Sequence, residues 1–283
     1  SAFSKYLSKK MKITPVYGGV SINPQLKNLR NGTDILIATP GRLIDITRKN
    51  GINLSQVSIL VLDEADRMLD LGFNEEISSI LKMLPSKRQN LLFSATLDRS
   101  IEISGIDFFH DGVTIGLKKD ETLDDQIEEI VYKVDSNNKG VFLKHLINKE
   151  NWDHILVFVS SKRRADNLTR KLIASSITAE ALHGDKSQGA RTEALTRFRE
   201  GKIKVLVATD LASRGLDIKH LPCVINYELP RSVTDYTHRI GRTGRAGMEG
   251  TAVTLLSPEE YNQMKLIEKR TGKKVKYVDS DSI

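Results

Sequence analysis

The sequence has few of the features that stabilise small or secreted proteins. Its 283 residues include one cysteine, Cys223, and one tryptophan. A single thiol cannot form a disulfide within the chain, so the sequence favours a reduced, cytoplasmic compartment. No apolar run approaches the roughly 18–20 residues that span a bilayer, and residues 1–5 have no signal-peptide pattern. The sequence therefore predicts a protein without a membrane span.

An excess of acidic residues is also absent. Lys and Arg number 43 against 36 Asp and Glu, which gives a formal net charge of +7. Such a surplus favours a polyanionic partner, because basic side chains release counterions from a phosphate backbone. The charge alone fits a soluble basic enzyme equally well. The length is enough for two domains of about 100–200 residues each.

Short apolar runs alternate with helical patterns along the chain. Continuous runs of this length are typical of buried parallel strands, and alternation with helices predicts a parallel sheet with right-handed crossovers. One set of runs precedes a polar stretch and a second set follows it. The runs are residues 34–38, 58–62 and 90–94, then 155–159, 205–208, 224–227 and 251–255.

This pattern predicts an α/β protein with two open parallel sheets in tandem. We assign residues 1–117 to a first domain, 118–125 to a linker, 126–275 to a second domain and 276–283 to a tail. Ligands of such sheets bind beyond the carboxyl ends of the strands. Functional residues are therefore expected where the apolar runs end.

Two acids follow the run at residues 58–62. Asp63 is placed to hold Mg²⁺ through water, and Glu64 to orient or deprotonate an attacking water. The alternative is that both acids only favour the N-terminus of the next helix. Taken alone, the pair does not decide between these interpretations.

Other runs end in small or hydroxyl-bearing residues. Ser94 and Thr96 follow one run and are equally typical of helix caps, and residues 39–42 form either a phosphate clamp or a strand-to-helix turn with a solvated Arg42. Gly18 and Gly19 are similar: they predict a tight turn or a backbone surface for a phosphodiester.

The second half of the chain carries arginines in a glycine-rich loop. Ser232 and Asp235 predict a capped helix that begins near Val233 and ends at Gly241. Arg242 and Arg245 follow, and their spacing suits arginine fingers that neutralise charge on a γ-phosphate. A basic loop that only contacts nucleic-acid phosphate is the alternative.

In their order along the chain, these segments resemble the motifs of the DEAD-box RNA helicases of superfamily two, and the resemblance covers nearly the whole sequence. A weaker similarity points to the RhlE-type bacterial branch. The matching segments are Gly18-Gly19, residues 39–42, 63–66, 94–96, 157–161, 188–191, 208–217 and 238–245.

The resemblance implies two RecA-like domains and a role for each matching residue. It assigns Asp63 and Glu64 to Mg²⁺ and water, and Arg242 and Arg245 to the γ-phosphate. Coupling of hydrolysis to domain closure is assigned to Asp66, Ser94, Thr96 and His238, and nucleotide contact from the second domain to Gly215 and Asp217. The RNA backbone path comprises Gly19, Thr39, Gly41, Arg42, Ser161, Gln188, Arg191, Thr209 and Arg214.

The implied protein is a monomer that uses ATP and Mg²⁺ to unwind short RNA duplexes. ATP and RNA together would close the two domains, and the closed form would bend one strand of the duplex. RNA, single-stranded or in short duplexes, would be held through its backbone and without sequence preference. The 2′-hydroxyl would distinguish it from DNA.

The family also has a glutamine-containing adenine motif, a phosphate loop ending Gly-Lys-Thr and motif Ia, and the sequence contains none of them. Gly201-Lys202 and Gly272-Lys273 are not followed by Ser or Thr. We therefore expect a truncated first domain that lacks its first strand, and a chain with little ATPase activity alone. The alternatives are an RNA-binding or regulatory fragment independent of ATP, and a DNA helicase of the same superfamily.

Overall fold

The chain folds into two compact units, Ser1–Ile115 (unit 1) and Gly116–Ile283 (unit 2). The computed structural model describes residues 11–94, 112–116, 127–150, 152–213, 218, 221–244, 250–273 and 275–279. The predicted linker, residues 118–125, lies outside this part of the chain, so the predicted boundary between the two domains stays a prediction.

Unit 1 alternates strands and helices, and its strands pair in parallel. The described strands form two separate pairs, β1 with β2 and β3 with β4, and no ladder of hydrogen bonds joins these two pairs in the described residues. The elements are β1 (Ile13–Val16), α1 (Ile22–Leu29), β2 (Ile35–Ala38), α2 (Pro40–Arg48), β3 (Ile59–Leu62), α3 (Ala65–Asp70), α4 (Asn74–Met83) and β4 (Gln89–Leu92).

The helices of unit 1 bury one face each. On α4, Ile77, Ile80 and Leu81 recur at helical spacing and are buried, which confirms the predicted pattern. The strands are covered less evenly. Four apolar side chains of this unit remain between 46% and 55% exposed: Ile37, Ile59, Val61 and Phe93.

Unit 2 is built on one seven-stranded sheet in which every pair is parallel, in the order β11-β5-β10-β9-β6-β8-β7. The predicted α/β class with parallel sheets is confirmed. The elements are β5 (Ile127–Lys133), α5 (Lys139–Lys149), β6 (Ile155–Phe158), α6 (Lys162–Ile173), β7 (Ala179–Leu182), α7 (Gln188–Arg199), β8 (Val205–Ala208), α8 (Asp210–Ser213), β9 (Cys223–Asn226), α9 (Val233–Ile240), β10 (Gly250–Leu256), α10 (Tyr261–Thr271) and β11 (Lys276–Asp279).

The central strands of this sheet are buried on both faces. Every residue of β6, β8 and β9 is at most 1% exposed, and Cys223 lies among them. Helices cover the two faces, which is why these strands read as continuous apolar runs. The carboxyl ends of these strands place Ser160, Asp210 and Glu228 at one edge of the sheet.

The C-terminal segment corrects the predicted tail. Residues 276–279 form β11, which pairs with β5 over Lys276–Asp279 at the edge of the sheet. Gly272 ends α10 with a φ of +70°, a conformation that glycine adopts without strain and that turns the chain back toward the sheet. Tyr277 and Val278 then contribute strand-forming side chains.

Within the described residues, none of the helices combines the length and apolar character needed to cross a membrane.

Candidate functional site

The two predicted acids lie at the carboxyl end of β3. Asp63 and Glu64 are exposed, and the backbone N–H of Glu64 donates to Asp63 Oδ1 over 3.0 Å. Glu64 has a φ of +52°, an uncommon conformation for a residue with a side chain. Backbone strain of this kind is often found at functional sites.

The ends of β3 and β4 lie side by side. Ala65 N–H donates to the Phe93 carbonyl over 3.0 Å, and Phe93 N–H to the Leu62 carbonyl over 2.8 Å. These bonds bring Ser94 next to the acids, as expected from adjacent parallel strands. Asp66 lies in the first turn of α3. Thr96 lies outside the described residues.

The Gly18-Gly19 turn and the start of α2 meet through Arg42. Its Nη2 donates to the Val20 carbonyl over 2.8 Å, and its Nε lies 3.9 Å from Asp45 Oδ2. The side chain is only 10% exposed, so the solvated alternative for Arg42 is wrong. Both its Nε and its Nη1 are buried and have no hydrogen-bond partner in the part of the chain that the structure describes.

Around this arginine the backbone is accessible. Thr39 precedes α2 without a side-chain capping bond, and no atom comes within 4 Å of a Cβ built at Gly19 or Gly41. Gly19 has a φ of +79°, which favours glycine. The turn thus presents open backbone next to a buried cation.

In unit 2, Ser161 caps α6 by accepting from Arg164 N–H over 3.3 Å. Beside it, Glu228 accepts from the N–H and hydroxyl of Ser160 over 2.7 Å and 2.6 Å. Arg164 Nε lies 2.7 Å from the other oxygen of Glu228. Sequence reasoning missed Glu228, although it lies two residues after the end of strand β9 and thus where functional residues were expected.

Gln188 and Arg191 lie on the first turn of α7 and contact each other. Arg191 Nη1 donates to Gln188 Oε1 over 3.3 Å, and Nη2 to the Ala212 carbonyl over 3.2 Å. Thr209 N–H donates to the Leu182 carbonyl over 3.2 Å. The structure therefore brings Gln188, Arg191 and the start of α8 together. Arg214, Gly215 and Asp217 lie outside the described residues.

The loop before α7 is held by His183, whose Nε2 is 3.0 Å from Asp166 Oδ1. Burial opposes ionisation of Asp166, but the bond to His183 and the nearby Lys186 outweigh it and hold its pKa below the usual value. An anchored loop keeps Gln188 and Arg191 in register with the sheet.

The predicted cap of α9 is confirmed. Asp235 N–H donates to Ser232 Oγ over 3.0 Å, and the helix runs from Val233 to Ile240 with Gly241 after it. His238 lies on this helix and is partly buried. Arg242 follows in a turn, where its carbonyl accepts from Leu221 N–H over 3.1 Å. Arg245 lies outside the described residues.

Sequence reasoning also missed Arg239, which is 2% exposed at the carboxyl edge of the sheet. Its guanidinium binds Asp210 through Nε over 2.6 Å and through Nη2 over 2.8 Å. A signal was present, because Arg239 shares the buried helix face with Tyr236 and Ile240 at helical spacing. A buried cation on such a face requires an acidic partner.

Comparison with known proteins places these sites in a family. A family model described as "DEAD/DEAH box helicase" matches residues 1–103, and one described as "Helicase conserved C-terminal domain" matches residues 138–247. The chain is 42% identical to the ATP-dependent RNA helicase CshA of Listeria monocytogenes over 267 residues, which is 94% of this chain and 51% of that protein. It is 42% identical to dbp2 of Neurospora crassa, over 93% of this chain and 48% of that protein.

Two solved structures extend the comparison. A DEAD box protein from Methanococcus jannaschii is 38% identical, with coverage of 96% of this chain and 73% of that chain and a TM-score of 0.55. Dbp5 of S. cerevisiae, bound to RNA and ADP BeF3, is 29% identical with coverage of 96% and 71% and a TM-score of 0.84.

The chain therefore belongs to the DEAD-box family of superfamily-two helicases. It spans about half the length of the curated relatives that it matches. Assignment to the RhlE-type branch stays a prediction.

Proposed function

We propose that the chain is the nucleotide- and RNA-engaging part of an ATP-dependent RNA helicase that separates short duplexes. The observation that carries the proposal is its similarity, at a TM-score of 0.84, to Dbp5 in a structure that contains both RNA and ADP BeF3. The names of the curated relatives, which include the ATP-dependent RNA helicases CshA and dbp2, support the same activity.

Asp63 and Glu64 are the proposed catalytic acids. Hard carboxylate oxygens suit Mg²⁺, which keeps several waters and is usually held by one or two carboxylates together with substrate phosphates. The described residues contain no group of three or more His, Cys, Asp or Glu side chains placed to hold a metal. When bound, Mg²⁺ would neutralise phosphate charge. Glu64 would accept a proton from the attacking water.

Arg242 and Arg245 are the proposed fingers, with Gly215 and Asp217 at the nucleotide from the same unit. The acids belong to unit 1 and the arginines to unit 2, so hydrolysis requires both units to act on one nucleotide. Hydrolysis would be coupled to the closure of the two units by Asp66, Ser94, Thr96 and His238. In this proposal ATP and RNA together drive the closure, and product release reverses it.

The RNA path is proposed to follow backbone and basic groups of both units. In unit 1, Arg42 lies beside the open Gly19 turn, and its Nε and Nη1 are buried without a partner among the described residues. In unit 2, Ser161 and Gln188 lie at exposed helix starts, whose N–H groups favour phosphate. Thr39, Gly41, Arg191, Thr209 and Arg214 complete the proposed path.

The decisive experiment is an ATPase and unwinding assay on the gene product that contains these 283 residues. Glu64→Gln should lower RNA-stimulated ATPase by about 10²-fold or more, since general base catalysis contributes that much. It should also trap an ATP-dependent complex with RNA. Glu75→Gln, an exposed acid of the same unit, is the matched control and should hydrolyse ATP normally.

Arg242→Lys should reduce hydrolysis by about 10³-fold, because a finger of this type contributes about 10³–10⁵. RNA binding without nucleotide should be unchanged. Two results would contradict the proposal. One is a gene product whose ATPase activity does not respond to RNA, and the other is a Glu64→Gln variant with unaltered turnover.

One observation favours the second candidate, an RNA-binding fragment independent of ATP: the 283 residues contain no Gly-Lys-Ser/Thr. The chain by itself should then bind RNA without hydrolysing ATP. Binding to RNA at increasing salt, with ATPase measured in parallel, separates the candidates. The unwinding assay should also compare an RNA duplex with a DNA duplex of the same sequence. Unwinding of the DNA duplex alone would establish a DNA helicase, and unwinding of the RNA duplex alone would exclude one.

A further inference from the structure

One buried cation joins several strand ends in unit 2. Arg239 extends from α9 across the carboxyl ends of β8, β9 and β6. Its Nη1 donates to Asn226 Oδ1 over 3.0 Å and to the Glu228 carbonyl over 2.7 Å, in addition to the paired bonds from Nε and Nη2 to Asp210. Its guanidinium carbon lies 4.8 Å from the centre of the Phe158 ring.

This geometry requires an arginine. The forked bonds to both oxygens of Asp210 need the planar guanidinium, and the ring contact needs its flat face. Asn226 is itself oriented, because its Nδ2 donates to Thr254 Oγ1 over 3.2 Å. A lysine would keep the charge but lose the fork.

Asp210 and Arg239 each lie directly before one of the two segments that the proposed function assigns to nucleotide binding. Asp210 is the first residue of α8, directly before residues 211–217. Arg239 lies in the last turn of α9, directly before residues 240–245, and its carbonyl accepts from Arg242 N–H over 3.2 Å. The ion pair therefore holds the starts of both segments at the same edge of the sheet.

We propose that Arg239 and Asp210 are positioning residues that hold the Arg242 turn and the α8 segment as one unit. Neither residue touches the nucleotide in this proposal. The pair acts by keeping Arg242 at a constant distance from the start of α8. For its effect on hydrolysis, the inference rests on the proposed function.

Hydrogen–deuterium exchange on the 283-residue chain tests the coupling without ATP. Arg239→Lys should speed exchange in residues 211–213 as well as in residues 241–244, and Asp210→Asn should do the same in both. About tenfold faster exchange is expected where the native bonds hold these segments closed. Faster exchange only in the segment that carries the substitution would overturn the proposal.

A second buried pair supplies the control for general loss of stability. Lys139 Nζ lies 2.5 Å from Glu260 Oε2, and the lysine side chain is 4% exposed. Lys139→Met should destabilise unit 2 as much as Arg239→Lys does. It should not selectively speed exchange in residues 211–213 and 241–244. If it does so to the same degree, the role of Arg239 is only structural.

The same variants in the gene product then give kinetic evidence. Arg239→Lys should lower the kcat of RNA-stimulated hydrolysis by roughly 10²-fold, the effect of displacing a catalytic group by about 1 Å, with little change in the KM for ATP. Asp210→Asn keeps one acceptor oxygen and should lower kcat less. Lys139→Met should leave kcat unchanged at temperatures where it is folded.

The two measurements separate the two proposals. A wild-type gene product without RNA-stimulated ATPase would remove the proposed function, while the exchange data would still decide whether the pair couples the segments. Normal kcat in a folded Arg239→Lys protein would remove the positioning role alone.

Discussion

The strands of the two units have similar sequences and different environments. β3 of unit 1 reads Ile-Leu-Val-Leu and β6 of unit 2 reads Ile-Leu-Val-Phe. Every residue of β6 is at most 1% exposed, whereas Ile59 and Val61 of β3 are 54% and 51% exposed. In unit 2 the neighbours β8 and β9 pair with both edges of β6, while β3 has only β4 among the described strands.

The comparison shows that an apolar run predicts a strand but not its burial. Burial depends on the elements that cover the strand, and these come from distant parts of the chain. An apolar face with this exposure is also a surface that other protein segments contact readily. Three experiments, two of them at matched positions of β3 and β6, sharpen the comparison.

The largest difference is expected in thiol labelling. Val61→Cys and Val157→Cys occupy the third position of β3 and β6, at 51% and 0% exposure in the wild-type chain. The first should react with a maleimide as fast as a free thiol. The second should react at least about 10³-fold more slowly, because labelling requires unit 2 to open.

Native Cys223 is the internal reference for this measurement. It is buried, and burial raises the pKa of its thiol, which also lowers reactivity. Mass spectrometry of the labelled peptides gives each rate. Equal rates at positions 61 and 157 would show that β3 is covered in solution.

The next difference is in stability. Ile155→Ala, at the start of β6, should cost about 2–5 kcal/mol because it leaves a cavity in a packed core. Ile59→Ala, at the start of β3, should cost less than about 1 kcal/mol because its side chain already contacts solvent. The exposed fractions in the native chain are 0% and 54%.

Denaturant titration can follow the two units separately. Trp152 is the only tryptophan and packs against the core of unit 2, so its fluorescence reports that unit. Far-ultraviolet circular dichroism reports both. A cost for Ile59→Ala as large as for Ile155→Ala would contradict the comparison.

The smallest expected effect is a pH dependence specific to unit 2. Burial alone would raise the pKa of Glu260, but the bond to Lys139 and the N–H groups of Leu229 and Ser257 hold it below the usual value. This contribution is complete above the unfolded pKa of about 4.3. It is lost as the pH falls through the lower folded value.

Between pH 5 and pH 3, the Tm of unit 2 should therefore fall more steeply in the wild type than in Glu260→Gln. The difference should be about 2–4 °C, the shift that about 1 kcal/mol produces in a unit of this size. Thermal unfolding followed by Trp152 fluorescence measures it. Parallel slopes for both proteins would show that Glu260 contributes no such linkage.

Much of the secondary structure could be predicted from the sequence, because short apolar runs and cap residues act locally. The helix after Ser232 begins and ends where its cap and Gly241 indicate. The acids of β3 and the hydroxyl of Ser94 come together, since adjacent parallel strands end at one edge.

The errors concern contacts between residues far apart in sequence. Residues 276–279 were assigned to the tail, but pairing with β5 makes them the sheet edge. Arg239 lies beside the predicted fingers and was not assigned a role. Its function depends on Asp210, Asn226 and Glu228, which reach it only through the order of the strands.

The position of β5 in the sheet has a consequence for how unit 2 folds. β5 is the first strand of the unit, but its neighbours are β10 and β11, the last two. Residues 127–133 therefore have no strand partner until the ribosome has added residues 250–256. Such long-range pairing is slow. Until this pairing forms, both edges of β5 are unpaired and can bind chaperones or pair with other chains in aggregates.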